Sequence, residues 1–465
     1  MKERRKLSKM KQIDFANGKI SSSILRAAMP MLAAQILNLL YNIVDRVYTA
    51  RIPEVGTVAL GAVGLCFPLI VIISAFANMY GSGGSPLFAI ERGKKNDREA
   101  ENIMDTSYTL LTITAILLTI LCMIFCRPIL VLFGASESAL VYAIPYIRIY
   151  LLGTFPSMVA VGLNPFINAQ GYSGNGMISV MIGALANIIL DPLFIFAFGL
   201  GVRGAAIATI LSQTLSAIYV LHFLYKRSAL RLRLLTKEEL RHCQRRAGRI
   251  ISLGLASFIM QLTNSLVTAF CNRILSTTGG DLYISIMTII SSIRQMVETP
   301  ILAIADGTSP LISYNYGAKK PERVFRAGSM MAVMAAVYAI FAWMVIIHAP
   351  HLLISIFSSD KTLLEDAIPA LKLYFNAFVF MVFQYTGQTM FKSLGKNKQA
   401  IFFSLLRKAI IVIPLTMILP YVFGLGTDGV FLAEPISNVV GGSLCFITML
   451  ITLLPELKAM KQKEE

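Results

Sequence analysis

The stretch TSYTLLTITAILLTILCMIFC, residues 106–126, contains no Asp, Glu, Lys or Arg. An α-helix needs about 20 mostly apolar residues to cross the hydrocarbon core of a bilayer. Segments 327–347 and 436–454 are equally free of these four residue types. The three stretches predict membrane-spanning helices in a chain that crosses the bilayer several times.

The composition of the whole chain agrees with this interpretation. Of its 465 residues, 56% are hydrophobic and only 14% are charged, and the mean hydropathy is +0.68. Soluble globular domains carry roughly 25% charged residues. The composition excludes an ordinary soluble enzyme and a disordered chain, and it predicts an all-α polytopic membrane protein.

Further apolar stretches bring the predicted number of transmembrane helices to twelve. Segments 55–90 and 283–316 are longer than one span needs and contain Gly and Pro, so we expect them to bend or tilt. The predicted spans are residues 24–50, 55–90, 106–126, 138–163, 175–198, 204–225, 250–275, 283–316, 327–347, 365–391, 399–423 and 429–454.

The distribution of basic residues predicts the orientation of the chain. The formal net charge is +17. With the N-terminus inside, the inner segments hold 31 of the 42 Lys and Arg residues, and the outer connections hold only Arg51, Arg127, Arg203 and Lys361. This is the asymmetry of the positive-inside rule. It predicts cytoplasmic N- and C-termini in a cell membrane, and it argues against a nucleic-acid partner because the basic residues are spread over six segments.

Two halves of the chain resemble each other. Ser85-Pro86-Leu87 recurs as Ser309-Pro310-Leu311 at an offset of 224, and Phe198-Gly199-Leu200-Gly201 recurs as Phe423-Gly424-Leu425-Gly426 at an offset of 225. Gln35 and Asn38 recur as Gln261 and Asn264. Six spans in each half make the repeat parallel, related by an axis along the membrane normal.

The duplication defines the predicted domains. They are a cytoplasmic tail (1–23), an N-lobe (24–225), a basic linker (226–249), a C-lobe (250–455) and a second cytoplasmic tail (456–465). We expect no cleavable signal peptide, because the first 23 residues are basic and polar. Two six-helix lobes are the arrangement expected of an alternating-access transporter.

Ionisable side chains inside predicted spans are functional candidates, because each costs several kcal/mol to bury in a membrane. Asp45 shares one helical stripe with Gln35, Asn38 and Asn42, so this stripe should look into a cavity or another helix. The alternative for Asp45 is an ion pair with a neighbouring arginine at the outer end of its span.

The fifth span carries a second carboxylate, Asp191. Asn187 lies one turn earlier on the same face, and Pro192 follows directly, so the carbonyl near residue 188 loses its helical donor. A carboxylate beside a loosened turn could change its proton or ion occupancy at little cost. The alternative is a hydrogen bond that only packs helices.

The ionisable residues in the second half of the chain indicate function less clearly. Arg294 and Glu298, four residues apart, predict an internal ion pair, whereas the roles of Asp306 and Glu434 stay open. Arg407 and Lys408 are expected near the inner end of their span, where they could snorkel to the interface. The six Cys and four His form no ligand-like pattern, and no HExxH or GxSxG motif occurs, so neither a metal site nor an enzyme is predicted.

Together these features resemble the MATE family, the multidrug and toxic compound extrusion antiporters of the MOP flippase superfamily. The Ser-Pro-Leu blocks, the run Asn42…Asp45 and the stretch from Asn187 through Asp191-Pro192 to Thr209 and Ser212-Gln213 carry the resemblance, which covers about residues 24–455. It implies a V-shaped pair of lobes and cation-driven efflux of amphipathic, often cationic, drugs.

The resemblance also implies roles for single residues. Asp45, Asn187, Asp191 and Thr209 match the coupling network of the proton-coupled bacterial branch, with Tyr146 as its aromatic member, and Pro30 matches the point where the first helix bends. Sodium at Asp45, Asn187, Asp191 and Thr209 is an alternative, since carboxylate and amide oxygens suit hard cations. A sodium site in the C-lobe is in doubt, because the tenth span has Lys372 and no carboxylate.

The predicted function is therefore secondary active multidrug efflux in exchange for H⁺ or Na⁺, by a monomer in contact with membrane lipids and without a cofactor. Protonation of Asp45 and Asp191 would drive alternating access. Gln35, Asn38, Asn42, Gln261, Asn264, Arg294 and Glu298 are candidates for the cavity wall, and Pro30 and Pro192 for helix bending. The alternative is a flippase for a lipid-linked precursor from the same superfamily.

Overall fold

A computed structural model describes residues 12–52, 56–133, 137–233, 237–357 and 361–462, and these residues form helices and connections without a β-strand. The chain divides into two compact units. Residues up to Asp14 together with Met29–Phe258 form the first unit, and Phe15–Ala28 together with the chain from Ile259 onward form the second. The first eleven residues of the predicted N-terminal tail and the last three residues of the chain lie outside the described residues.

The first unit is built around a pair of long helices and the shorter ones that cover them. Helix α2 packs against α3 and α5, and α6 packs against α7. In the core, the rings of Phe88 and Phe166 meet edge to face with centroids 5.6 Å apart. Helix α1 (Ile20–Ala50) begins in the second unit and continues into the first from Met29. The other helices of the first unit are α2 (Gly56–Gly93), α3 (Asp97–Leu132), α4 (Glu137–Leu152), α5 (Thr154–Ala169), α6 (Ser173–Pro192) and α7 (Gly201–His222).

The second unit repeats this plan. Helix α8 begins in the first unit and continues into the second beyond Phe258. Helix α9 packs against α10 and α13, which in turn packs against α16. The helices are α8 (Lys237–Thr278), α9 (Gly280–Gly317), α10 (Pro321–His348), α11 (Pro350–Ser355), α12 (Lys361–Phe375), α13 (Met381–Ser393), α14 (Asn397–Leu405), α15 (Ile413–Tyr421) and α16 (Gly426–Gln462).

Within the described residues, helices occupy all twelve predicted spans, although one of them is less apolar than the rest. Ten helices are long and apolar enough to cross a membrane, and a bent pair raises the number to eleven. The predicted span 283–316 does form a helix, α9, but it is not among these apolar spans. Its Arg294 and Glu298 lower the mean hydropathy, and both turn away from solvent into the second unit.

The predicted span 138–163 consists of two helices, α4 and α5, bent by 56°. The break falls at Gly153, where an added Cβ would lie 2.6 Å from Cγ1 of Ile210. Helix α7 therefore packs directly against the bend, and only glycine leaves room for it.

Half of the predicted basic linker is helical. Residues 237–249 form the first turns of α8, and the Arg246 guanidinium bonds to Glu99 with a shortest distance of 2.8 Å. The backbone N–H of Arg233 donates to Asp105 at 2.8 Å. Acidic residues near the beginning of α3 thus bind the linker to the first unit.

The internal repeat extends to the backbone. Helices α2 and α9 each have 38 residues, and each is followed at the same distance by a lysine in the left-handed region, Lys95 with φ 61° and Lys319 with φ 56°. Left-handed non-glycine residues are uncommon. Their recurrence at an offset of 224 indicates that both halves inherited one local geometry.

Gly204 and Gly429, one in each half, allow close backbone contacts. A Cβ at Gly204 would lie 2.5 Å from the carbonyl oxygen of Phe194, and one at Gly429 would lie 2.7 Å from the nitrogen of Pro420. At both glycines, the beginning of one helix packs closely against the end of the preceding helical segment.

We expect Gly204→Ala to lower the free energy of unfolding by about 1–3 kcal/mol, because the added methyl group forces backbone apart in a packed core. The measurement is the thermal unfolding midpoint of the purified protein in detergent. Gly248→Ala is the control, since a Cβ there has no neighbour within 4 Å and alanine favours the helix. Equal midpoints for Gly204→Ala and the wild type would contradict the packing argument.

Candidate functional site

Two carboxyl groups meet inside the first unit. Asp191, at the end of α6, is fully buried, and Asp45 on α1 is half-buried. Their side chains lie close enough to interact by charge and by a hydrogen bond. Ionised carboxylates only accept hydrogen bonds, so a bond between the two requires a proton on one of them. The pair can therefore exist as a singly protonated unit.

The amide of Asn187 orients the buried member of the pair. Its Nδ2 donates to Oδ1 of Asp191 at 3.2 Å, and the Asn187 side chain is itself buried. The two residues are one helical turn apart, as the sequence predicted. Pro192 follows, and the next five residues, Leu193–Ala197, form a π-helical turn. The loosened backbone expected beside Asp191 is thus present.

Tyrosine rings border the carboxyl pair. Tyr146 is buried and lies within electrostatic range of both Asp45 and Asp191. Its ring stacks on that of Tyr150, with centroids 6.2 Å apart. Tyr41, on α1, is also within range of both carboxyl groups. Sequence reasoning missed Tyr41, although its position one turn before Asp45 placed it on the same side of α1.

A cavity of about 290 Å³ lies in the first unit, and Asn187 forms part of its wall. Thr209 also lines it, while its hydroxyl donates to the carbonyl of Ala205 in its own helix at 2.9 Å. Most of the polar wall consists of uncharged amide side chains. These are Gln35, Asn38, Asn78, Asn164, Asn168, Asn187 and Gln213.

The predicted polar stripe of α1 is only partly correct. Gln35 and Asn38 line the cavity, but Asn42 is exposed and donates from its Nδ2 to the carbonyl of Asn38 at 2.6 Å. At 100° per residue, Asn42 falls between Asn38 and Gln35 in direction. Its exposure therefore follows from its position along α1, beyond Tyr41, the last residue of this helix that lines the cavity. Of the two arginines proposed as alternative ion-pair partners of Asp45, Arg46 has a side chain outside the described residues, and Arg51 is exposed. Pro30 lies within α1, which continues through it without a break.

The cavity wall includes three asparagines that sequence reasoning did not single out. Asn78 lies on α2, and Asn164 and Asn168 lie on α5. Asn164 donates to the hydroxyl of Ser179 at 2.7 Å, and Asn168 donates to Oδ1 of Asn164 at 3.1 Å. A neutral amide in an apolar helix is not by itself a functional signal in a sequence, because polar side chains are also common contacts between membrane helices.

In the second unit, Arg294 and Glu298 form the predicted ion pair, with 3.5 Å between Nε and Oε1. Asn264 lines a small cavity beside Arg294, whereas Gln261 is half-buried on α8. Glu434, whose role the sequence left open, accepts a hydrogen bond from Arg294 at 3.4 Å.

The prediction that Arg407 and Lys408 snorkel to the interface is wrong. Both side chains are buried, and Lys408 Nζ lies 2.8 and 2.9 Å from the two carboxylate oxygens of Glu434. The physical reason is a π-helical turn over Leu406–Val412, which turns two consecutive basic residues toward α16. Such turns occur frequently at functional sites.

Within the described residues, no group of three or more His, Cys, Asp or Glu side chains could hold a metal ion. The carboxyl pair with Asn187 is an arrangement that can change its charge by gaining or losing a proton.

Comparison with known proteins places the chain in a family. The MatE family profile matches it twice, over residues 30–193 and 256–418, which confirms the predicted duplication. The multidrug export protein MepA of Staphylococcus aureus (strain MSSA476) is 24% identical over 450 residues, covering 95% of each chain. MepA of Staphylococcus haemolyticus (strain JCSC1435) is 23% identical over 414 residues, covering 88% of this chain and 89% of that protein.

Solved structures agree. A crystal structure of a MATE in complex with MaL6 superimposes with a TM-score of 0.88 at 25% identity, covering 97% of this chain and 99% of that one. The fold predicted from the resemblance, an all-helical membrane protein of MATE type, is confirmed. The chain therefore belongs to the MatE family, and it is a multi-pass membrane transporter rather than an enzyme.

Proposed function

We propose that the protein is a multidrug efflux antiporter that exports amphipathic, often cationic, compounds in exchange for inward protons. The observation that carries the proposal is the proximity of Asp45 to the buried Asp191. Two carboxyl groups placed in this way can hold one proton between them. The names of the staphylococcal relatives, multidrug export proteins, support the substrate class.

The coupling step follows from the charge of the pair. With both carboxylates ionised, the first unit carries two negative charges next to the cavity wall at Asn187, and these attract a cationic compound. Taking up a proton from outside removes part of that attraction, so the compound leaves. The two ligands therefore compete, and the coupling is reciprocal. An inward gradient supplies about 2.3 kcal/mol per charge per 100 mV.

The neutral amide wall suits a broad range of compounds. The amides of Gln35 and Asn38 can each donate and accept hydrogen bonds, and Met31 and Val180 add apolar surface to the same cavity. A wall without fixed charges does not exclude compounds by their charge pattern. Which compounds bind then depends on the charge of the carboxyl pair and on the size of the compound.

Protons are favoured over sodium because the two carboxyl groups lie close enough to interact by charge. Like charges at such a distance cannot both stay ionised without a cation, and a shared proton is the smallest solution. A sodium ion held by Asp45, Asn187, Asp191 and Thr209 is the other arrangement that these oxygens permit.

The proposal includes the orientation of the protein in the membrane and its oligomeric state. Both termini lie in the cytoplasm, in accordance with the excess of Lys and Arg in the inner segments. The protein works as a monomer in the cell membrane, and Pro30 lets the first helix bend when the pair takes up its proton.

We expect Asp45→Asn and Asp191→Asn each to reduce gradient-driven efflux at least tenfold, because neither variant can cycle a proton through the pair. Efflux of a fluorescent cationic dye from proteoliposomes measures this. The control is Glu137→Gln, which removes an exposed acid paired with Arg127. Efflux at the wild-type rate in both Asp variants, with normal folding, would contradict the mechanism.

We expect transport to stop when the pH gradient is collapsed and to continue when the sodium gradient is removed, because the pair holds a proton. The measurement is the same efflux assay with each gradient abolished separately by an ionophore. Asn187→Leu should retain the sodium independence but slow efflux, since Asp191 loses its amide donor. Dependence on sodium alone would assign the pair to that cation instead.

A further inference from the structure

Five charged side chains gather in the interior of the second unit, far in sequence from the carboxyl pair of the first. They come from α9, the π-helical turn Leu406–Val412 and α16, and none of the five side chains is more than 21% exposed. They are Arg294, Glu298, Arg407, Lys408 and Glu434. We call them the C-lobe cluster.

Glu434 is the centre of the cluster. Its Oε1 lies 2.8 Å from Lys408 Nζ, 3.2 Å from Arg407 Nη2 and 3.4 Å from Arg294 Nη1, and its Oε2 lies 2.9 Å from Lys408 Nζ. Arg407 also donates to Asn438 at 3.0 Å. The carboxylate of Glu434 thus accepts from three cations and has no capacity to neutralise a further charge.

The formal charges do not balance. Three cations face two carboxylates, and Glu298 contacts only Arg294 among the cations, at 3.5 Å, and the hydroxyl of Tyr385 at 3.4 Å. One positive charge is left over. A guanidinium does not lose its proton in proteins, and an uncompensated buried charge is costly. An additional anion would remove this cost.

A cavity of about 30 Å³ opens onto the cluster. Arg294 and Lys408 line it together with the phenol of Tyr374 and the amide of Asn264, so cations and hydrogen-bond donors face the same space. Glu434 lines it too, but its charge is taken up by the three cations. The space holds about one water-sized species, so a single small ion suits it better than an organic carboxylate or a phosphate.

We propose that this cavity binds one monatomic monovalent anion, chloride under ordinary conditions, which balances the charge of the C-lobe cluster. The anion would contact Arg294 and Lys408, with Tyr374 and Asn264 as neutral donors. It would connect α9 and α12 to the π-helical turn, and so stabilise the second unit. The proposal does not depend on the carboxyl pair or on the exchanged ion.

The test uses the full-length protein in nanodiscs. Its single tryptophan, Trp343, lies on α10 in the second unit and reports thermal unfolding. The unfolding midpoint is measured against concentration of sodium chloride, bromide, acetate or gluconate at constant ionic strength. Chloride and bromide should raise the midpoint saturably, by about 2 °C or more, relative to gluconate and acetate.

Variants that change the charge of the cluster in opposite directions make the test specific. Lys408→Met removes the excess charge and should abolish the halide response. Glu298→Gln raises the uncompensated positive charge of the cluster from one to two. It should therefore lower, about tenfold, the halide concentration that gives half of the maximal shift in the unfolding midpoint. Tyr374→Phe removes a donor without changing the charge, and should weaken binding severalfold. Lys461→Gln, in an exposed pair with Glu322, should respond as the wild type does.

Three results would overturn the proposal. One is an equal midpoint in chloride and gluconate, which would mean that Lys408 sheds its proton instead. Another is a larger response to acetate than to chloride. The third is an unchanged halide response in Glu298→Gln and Tyr374→Phe, which decide the question even if Lys408→Met does not fold.

Discussion

The cost of burying charge in an apolar protein governs this molecule. Only 14% of its residues are charged, and most of them lie in the connections and tails. The few that lie inside must be neutralised by a proton, an opposite charge or a bound ion. Each unit meets this requirement differently. The first brings two carboxyl groups together, and the second surrounds one carboxylate with three cations.

These two solutions have different chemical capacities. A pair of carboxyl groups can gain or lose a proton, so its charge can follow a gradient. A carboxylate held by two guanidinium groups and an ammonium at 2.8–3.4 Å is locked in its ionised form. This difference would allow one copy of a duplicated unit to carry out the proposed coupling while the other holds a static charge cluster. The duplication preserved the backbone and not the ionisable residues.

The irregular turns of the helices contribute to both sites. A π-helical turn follows Pro192, directly after Asp191, and another contains Arg407 and Lys408. In the second case the extra residue in the turn changes the direction of side chains that a regular α-helix would send elsewhere, whereas in the first the turn begins only after Asp191. Helix geometry, and not only residue type, therefore decides which ionisable groups meet.

The sequence by itself determined the membrane class, the duplication, the pairing of Asn187 with Asp191 and that of Arg294 with Glu298, because these rest on composition, on offsets and on residues one turn apart. It could not determine contacts between helices that lie far apart along the chain. The meeting of Asp45 with Asp191, the amide wall from α2 and α5, and the burial of Arg407 and Lys408 against Glu434 came only from the tertiary structure. Periodicity defines which face of a helix a residue occupies, but packing and an irregular turn decide what that face contacts.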